Sequence, residues 1–267
     1  MEWLNQILRI KTDLPDVNPD IMFTVFGYPV ANSTLMLILI ALIILIGAIV
    51  LNKGIKIIPG GFQNLTELIY DYLVTLVSSV TGSRKIAEKI FPVIGTIFIF
   101  VFLSNLMTVI PLIGEITFKG VPIFRPPTTD FNTTFSLALV MVVSIQLISI
   151  RDYGILGYIG KFIKIKGLYQ GAKKGVGEFV LALIDFAIGF LDIISEVAKV
   201  VSLSLRLFGN MYAGQVLATV ILAGFAYGLP AIWMVMGTLS VVVQTLVFAL
   251  LVTAYYTISV KLEKEEA

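Results

Sequence analysis

Apolar residues run almost unbroken over five stretches, about 34–51, 91–113, 134–150, 179–226 and 231–260, with charge and Gly or Pro returning between them. Each is near or above the roughly 20 residues that a helix needs to span a bilayer. The pattern predicts an all-α membrane protein of about five to six helices. The fourth stretch is too long for one upright crossing: at 1.5 Å per residue it would extend roughly 70 Å, against a hydrocarbon layer about 30 Å thick. It must tilt steeply, lie partly in the interface, or break. With 231–260 it forms a long, strongly tilted antiparallel C-terminal helix hairpin, joined by the turn at 226–230.

Polar positions inside the apolar segments are not scattered. Over 61–80, Gln63, Glu67, Asp71 and Thr75 recur near one helical turn, which predicts an amphipathic helix lying along the cytoplasmic surface. In the fourth stretch, Asp185, Asp192, Glu196, Lys199, Ser202, Arg206, Asn210 and Ala213 share one sector of the helical wheel. The last stretch carries a matching stripe of Gly237, Ser240, Gln244, Phe248, Leu251, Tyr255 and Ser259. Antiparallel pairing across the turn puts Arg206 and Gln244 at one depth. Gln215 then faces Gly237, about half a turn round the wheel from Arg206.

Composition reinforces the membrane reading, since 58% of the 267 residues are hydrophobic and 13% charged, far from the mixture of soluble domains. The chain has no Cys and no His, which excludes disulfides, thiolate chemistry, imidazole bases and the usual zinc sites. No metal or other cofactor is expected, and proton handling must rest on Asp, Glu, Lys, Arg, Tyr or water. A net charge of +2 gives no reason to expect nucleic acid. Lys53, Lys56, Arg84, Lys85 and Lys89 follow the first span, and Arg151, Lys161, Lys164, Lys166, Lys173 and Lys174 follow the third. Both loops are expected in the cytoplasm. This gives an extracytoplasmic N-terminal arm over 1–33, one membrane domain over 34–260 and a cytoplasmic tail over 261–267. The Gly- and Lys-rich segment at 167–177 lacks the GxxxxGK[ST] phosphate-binding pattern. It reads as a connector.

Arg206 is the residue that amphipathicity explains least. A centrally placed Arg costs about 2.5–3.5 kcal/mol on insertion scales, and its charge must face protein or water and meet an anion. The acids on its own face lie nearer the cytoplasm, which leaves room for a partner from another subunit.

The segment "SLSLRLFGNMYAG" (202–214) resembles the signature of subunit a of the F-type ATP synthase, the membrane stator beside the rotating c ring. "SNLMTVIPLIG" (104–114), "PPTTDFNTTFSLAL" (126–139), "ISEVAKVVSLSLR" (194–206) and "VVVQTLVF" (241–248) agree with the same family in the same order. The resemblance implies two aqueous half-channels leading to the carboxylates of the c ring, with Arg206 as the barrier between them. It implies that Asn210 and Gln244 orient water and the guanidinium. Asp192, Glu196 and Ser202 would support the inner path, and Asp130 and Asn105 the outer one. The implied partners are c-ring subunits, peripheral-stalk b subunits and lipid, in a bacterial-type inner or plasma membrane. ATP chemistry would belong to other subunits, so this chain is not itself a catalyst. Positions 207 and 214 are expected to face the ring helix.

Two departures stand out. Many members of the family carry Glu where this chain has Gln215, and His or another acid where it has Gly237. A Gln can order water but cannot relay a proton by ionising. The outer path is then hydrated, uses Asp130 or a relocated acid, or carries another ion. Protons are the favoured reading and sodium the alternative. A secondary transporter and a purely structural scaffold are the remaining alternatives, and the first lacks any sign of a repeated half.

Overall fold

The computed structural model describes residues 16–110, 117–118, 121–162, 176–224 and 229–266. Most of the 167–177 connector, the centre of the 226–230 turn, the first fifteen residues of the N-terminal arm and the side chains of Asp185 and of the C-terminal tail lie outside that set. The elements run β1 (Ile21–Val25), β2 (Tyr28–Ala31), α1 (Asn32–Gly54), α2 (Gly61–Thr81), α3 (Arg84–Val109), β3 (Thr117–Phe118), β4 (Val121–Pro122), a 3-10 turn (Pro127–Thr129), α4 (Phe131–Phe162), α5 (Val176–Gly224) and α6 (Leu229–Glu266). The helical plan matches the apolar pattern. The two antiparallel hairpins, β1–β2 and β3–β4, have no counterpart in that reading.

Among the described residues, four helices are long and apolar enough to cross a membrane: Asn32–Gly54, Arg84–Val109, Phe131–Arg151 and Ala231–Ser259. α5 has an apolar run interrupted by Asp192, Glu196, Lys199, Arg206, Asn210 and Gln215. It is helical over 49 residues, about 74 Å at 1.5 Å per residue. Breaking is therefore not how this helix meets the membrane. α4 does contain an interruption, at Gly154, whose φ of 79° lies in the left-handed region that glycine alone enters without strain. The amphipathic segment forms α2. There Gln63 receives the Lys56 N–H on its carbonyl and donates to the Lys56 carbonyl and to Glu67 Oε1, which ties the start of the helix to the segment before it.

The chain divides into two compact units. The first comprises the described residues of Met1–Leu73, Ile94–Thr134 and Leu205–Ala249. Its buried apolar side chains include Met36, Ile40, Val101, Leu207, Met211, Val241 and Phe248. The second comprises those of Val74–Val93, Phe135–Ser204 and Leu250–Ala267. It buries Val77, Ile90, Met141, Ile145, Leu203, Val252 and Tyr256. Large apolar side chains also cover the outside, with Leu42, Leu45, Ile46 and Val50 of α1 all exposed. In lipid such exposure carries no hydrophobic cost, and close van der Waals packing holds the helices together instead.

Candidate functional site

The signature segment of α5 has two faces. Leu207 and Met211 are buried. Phe208 stacks on Tyr212 at 5.3 Å and meets Phe131 edge-on at 5.7 Å. The opposite face exposes Leu205, Arg206, Gly209, Asn210 and Ala213. Nothing lies within 4 Å of where a Cβ on Gly209 would stand, and small residues on a helix surface let a second helix approach closely. Arg206 is thus held outward by packing behind it, and it makes no hydrogen bond or ion pair with any described residue. Leu207, expected to face the ring helix, is instead fully buried. One residue of helical advance, about 100°, carries it from the Arg206 face into the core.

Asn210 Nδ2 reaches Ser240 Oγ at 3.5 Å. Each is four residues nearer the inter-helix turn than Arg206 and Gln244 respectively, so the contact has the antiparallel register that the sequence predicts. Gln244 is 8% exposed and its Nε2 has no hydrogen-bond partner among the described residues. Beside it, Thr245 Oγ1 takes a long bond, 3.4 Å, from Asn105 Nδ2 of α3. Asn105 Oδ1, Ser104 Oγ and Thr108 Oγ1 are buried without partners among the described residues. Such atoms each cost about 1–3 kcal/mol when left dry, and a run of them marks a place where water belongs. This column on α3 and α6 sets Asn105, assigned by the resemblance to the outer path, close to Gln244, assigned to the guanidinium, and adds Ser104, Thr108 and Thr245.

Gly237 belongs to the same pair of helices, with Val109 Cγ2 at 3.6 Å from an ideal Cβ. That is ordinary contact distance, so packing does not require glycine there. Gln215 is half-buried, and its side chain makes no hydrogen bond with a described residue.

Asp130 sits elsewhere in the chemistry. It is 4% exposed and is the N-cap of α4, with Oδ1 accepting from the Asn132 N–H and Oδ2 from Thr133 Oγ1 and from Ser33 Oγ at 2.7 Å. The bond from the Asn132 N–H is the one an N-cap makes, and the two hydroxyl donors hold the carboxylate beyond it. Next to it is a residue the sequence reading missed, Arg125. Its Nη1 donates to the Asn18 carbonyl at 2.7 Å. Nη2 donates to the carbonyls of Asp16 at 2.6 Å, Val17 at 3.2 Å and Thr129 at 3.1 Å. Burial pushes this guanidinium below its ordinary pKa, and Asp130, Asp20, Tyr212 and Asp16 push it back up. It stays protonated at any working pH. Asn32 completes the knot, donating through Nδ2 to the Pro122 carbonyl and to Asp20.

The second unit holds the remaining predicted residues. Asp192, Glu196 and Ser202 line one cavity of about 390 Å³ with Ser195, Lys199 and Tyr255. Glu196 accepts from Lys199 Nζ at 2.7 Å and from Gln146 Nε2 at 2.6 Å, and the ammonium stands 5.4 Å from the Tyr255 ring centre. The inner group is therefore together in space. Gln146, Lys199 and Tyr255 are its additions.

The family model described as ATP synthase A chain matches residues 33–257. Among similar curated proteins, "ATP synthase subunit a" of Campylobacter concisus is 34% identical over 85% of this chain and 89% of its own length. The protein of the same name from Moorella thermoacetica is 29% identical over 90% and 95%. "ATP synthase subunit a, sodium ion specific" of Propionigenium modestum is 30% identical over 91% and 80%. With residues 33–257 of the 267 matched by the family model and four helices long and apolar enough to span a membrane, this multi-pass membrane chain belongs to the ATP synthase A chain family.

Proposed function

We propose that this chain is the ion-translocating stator subunit of a rotary ATP synthase, with two aqueous half-channels separated by Arg206. The observation that carries the reading is an exposed guanidinium on the small-residue face of α5, in register with Gln244 of a buried polar column. A c-ring carboxylate arriving at that face meets a fixed cation, which lowers its pKa and releases its proton. The guanidinium cannot itself carry a proton across. A leak through that barrier would dissipate a drive of about 2.3 kcal/mol per charge per 100 mV.

The outer half-channel runs along Ser104, Asn105, Thr108, Gln244 and Thr245, as a hydrated path without an acid at Gln215 or Gly237. The inner one opens through the Asp192, Glu196 and Ser202 cavity. In this account Asp130 caps α4 instead of relaying protons. The N-terminus lies outside and the C-terminus in the cytoplasm. The stator role places the chain against the c ring and the peripheral-stalk b subunits.

The path is tested by placing single cysteines at Asn105, Thr108 and Gln244 in a chain that has none of its own. A small aqueous thiol reagent should modify each and block pumping. Failure to react at all three positions would contradict a hydrated column. A sodium-translocating version is the second reading, favoured by the absent acids and by the sodium-specific relative. ATP-driven transport measured with and without sodium separates the two.

A further inference from the structure

The β1–β2 ribbon precedes α1 without a break, its last strand residue being Ala31 and the first helical residue Asn32. Its base is fixed, because Arg125 holds the carbonyls of Asp16, Val17 and Asn18 while the Asn32 N–H donates to the Asp20 carbonyl at 3.0 Å. The ribbon is two-sided. Phe23 pairs with Val30 across the strands and Tyr28 lies two residues from Val30, so these three share one face. Thr24 and Pro29, paired with each other, take the opposite face. The apolar face is open, with Phe23 47% and Tyr28 77% exposed.

At the tip Phe26 is 98% exposed and Gly27 follows it, both with positive φ, as a two-residue hairpin turn requires. Asn, Asp or Gly would suit the backbone at position 26 better than Phe. Neither turn geometry nor packing within the chain accounts for the aromatic ring there. No Asp, Glu, Lys or Arg occurs from Ile21 to Asn52, so the ribbon belongs to the same charge-free run as α1. Only 11% of the apolar window of α1 is buried inside the chain, so the ribbon extends from a helix whose apolar surface is mostly uncovered by the rest of the chain.

We infer that the β1–β2 ribbon lies in the lipid headgroup zone at the N-terminal end of α1, with Phe23, Phe26 and Tyr28 inserted toward the acyl chains and Thr24 turned to water. A Tyr is favoured at this depth because its apolar ring and its hydroxyl are both satisfied there, and the two Phe rings are buried from water toward the acyl chains. The ribbon fixes the height of α1 in the bilayer, and through Asn32 and Arg125 the height of the knot beneath it.

The test uses the assembled complex in lipid nanodiscs, its other subunits free of cysteine, with a nitroxide attached after Phe26→Cys, Tyr28→Cys or Thr24→Cys and an Ile46→Cys reference on α1. The ratio of accessibility to oxygen over a water-soluble nickel chelate should be several-fold higher at 26 and 28 than at 24, approaching that at 46. Preferential access of nickel at 26 and 28 would overturn the inference by placing the ribbon in water. Shielding from both reagents would overturn it by placing the ribbon under another protein chain.

Discussion

Two polar regions of the first unit treat buried hydrogen-bonding groups in opposite ways. Around Arg125 and Asp130, with Thr128 Oγ1 the exception, donors and acceptors meet at 2.6–3.4 Å, and the partners are backbone carbonyls, an N-cap amide and hydroxyls, several from distant parts of the chain. Around Asn105 and Gln244, buried amide and hydroxyl atoms have no partner among the described residues. The first arrangement stabilises a fold and resists change, while the second lowers stability and has a rationale only if water or an ion passes there. Polarity inside a membrane chain is thus not a single signal. Whether its hydrogen bonds close within the protein separates scaffold from path.

The comparison breaks most readily at Arg125. Arg125→Ala strands several carbonyls and removes the charge facing buried Asp130, a change of the kind that costs about 3–5 kcal/mol. The amount of folded chain recovered from membranes should fall sharply, with partial rescue by Arg125→Lys, which restores charge without the fork. A variant that folds normally but no longer conducts ions would move Arg125 from scaffold to path.

The column should behave in reverse. Replacing Asn105 or Gln244 by Leu removes unpaired polar atoms, a change that can be neutral or stabilising, so thermal stability should hold or rise. ATP-driven pumping in inverted vesicles should nevertheless fall by about tenfold or more, equivalent to about 1.4 kcal/mol in the barrier. Stability lost with pumping retained would make the column ordinary packing.

The smallest effect is expected at Asp130. Asparagine keeps the N-cap but loses the charge facing Arg125, so Asp130→Asn should cost less than Arg125→Ala and less than Asp130→Ala, which also loses the cap and a further amount of about 0.5–2 kcal/mol. Pumping and its pH profile should survive the Asn change. Loss of pumping in a stable Asp130→Asn chain would restore this carboxyl to the outer half-channel.

How far the sequence carried this account depends on the range of the interactions. Helix positions, the Arg206 register with Gln244, and the grouping of Asp192, Glu196 and Ser202 follow from apolar run length and a 3.6-residue period, which act along one or two neighbouring helices. Arg125 was illegible because, apart from Thr129, its partners are carbonyls more than a hundred positions away, and backbone acceptors leave no trace in side-chain pattern. A weaker signal was present in "FRPPTTDFNTT": an Asp directly before a helix is an N-cap candidate, and the nearby Arg is the cation in range of it. The β1–β2 hairpin was missed for another reason. Its turn carries Phe-Gly where the usual signal is Asn-Gly, so local chemistry pointed away from the conformation adopted.

Arg206→Lys tests the central claim most directly, because it preserves charge and approximate length while replacing a group that stays protonated with one that loses its proton when desolvated. Assembled complex in inverted membrane vesicles should keep its subunit composition yet show no ATP-driven ion pumping and no ion-driven ATP synthesis. Normal pumping by that variant would contradict the assignment of Arg206 as the barrier between two half-channels.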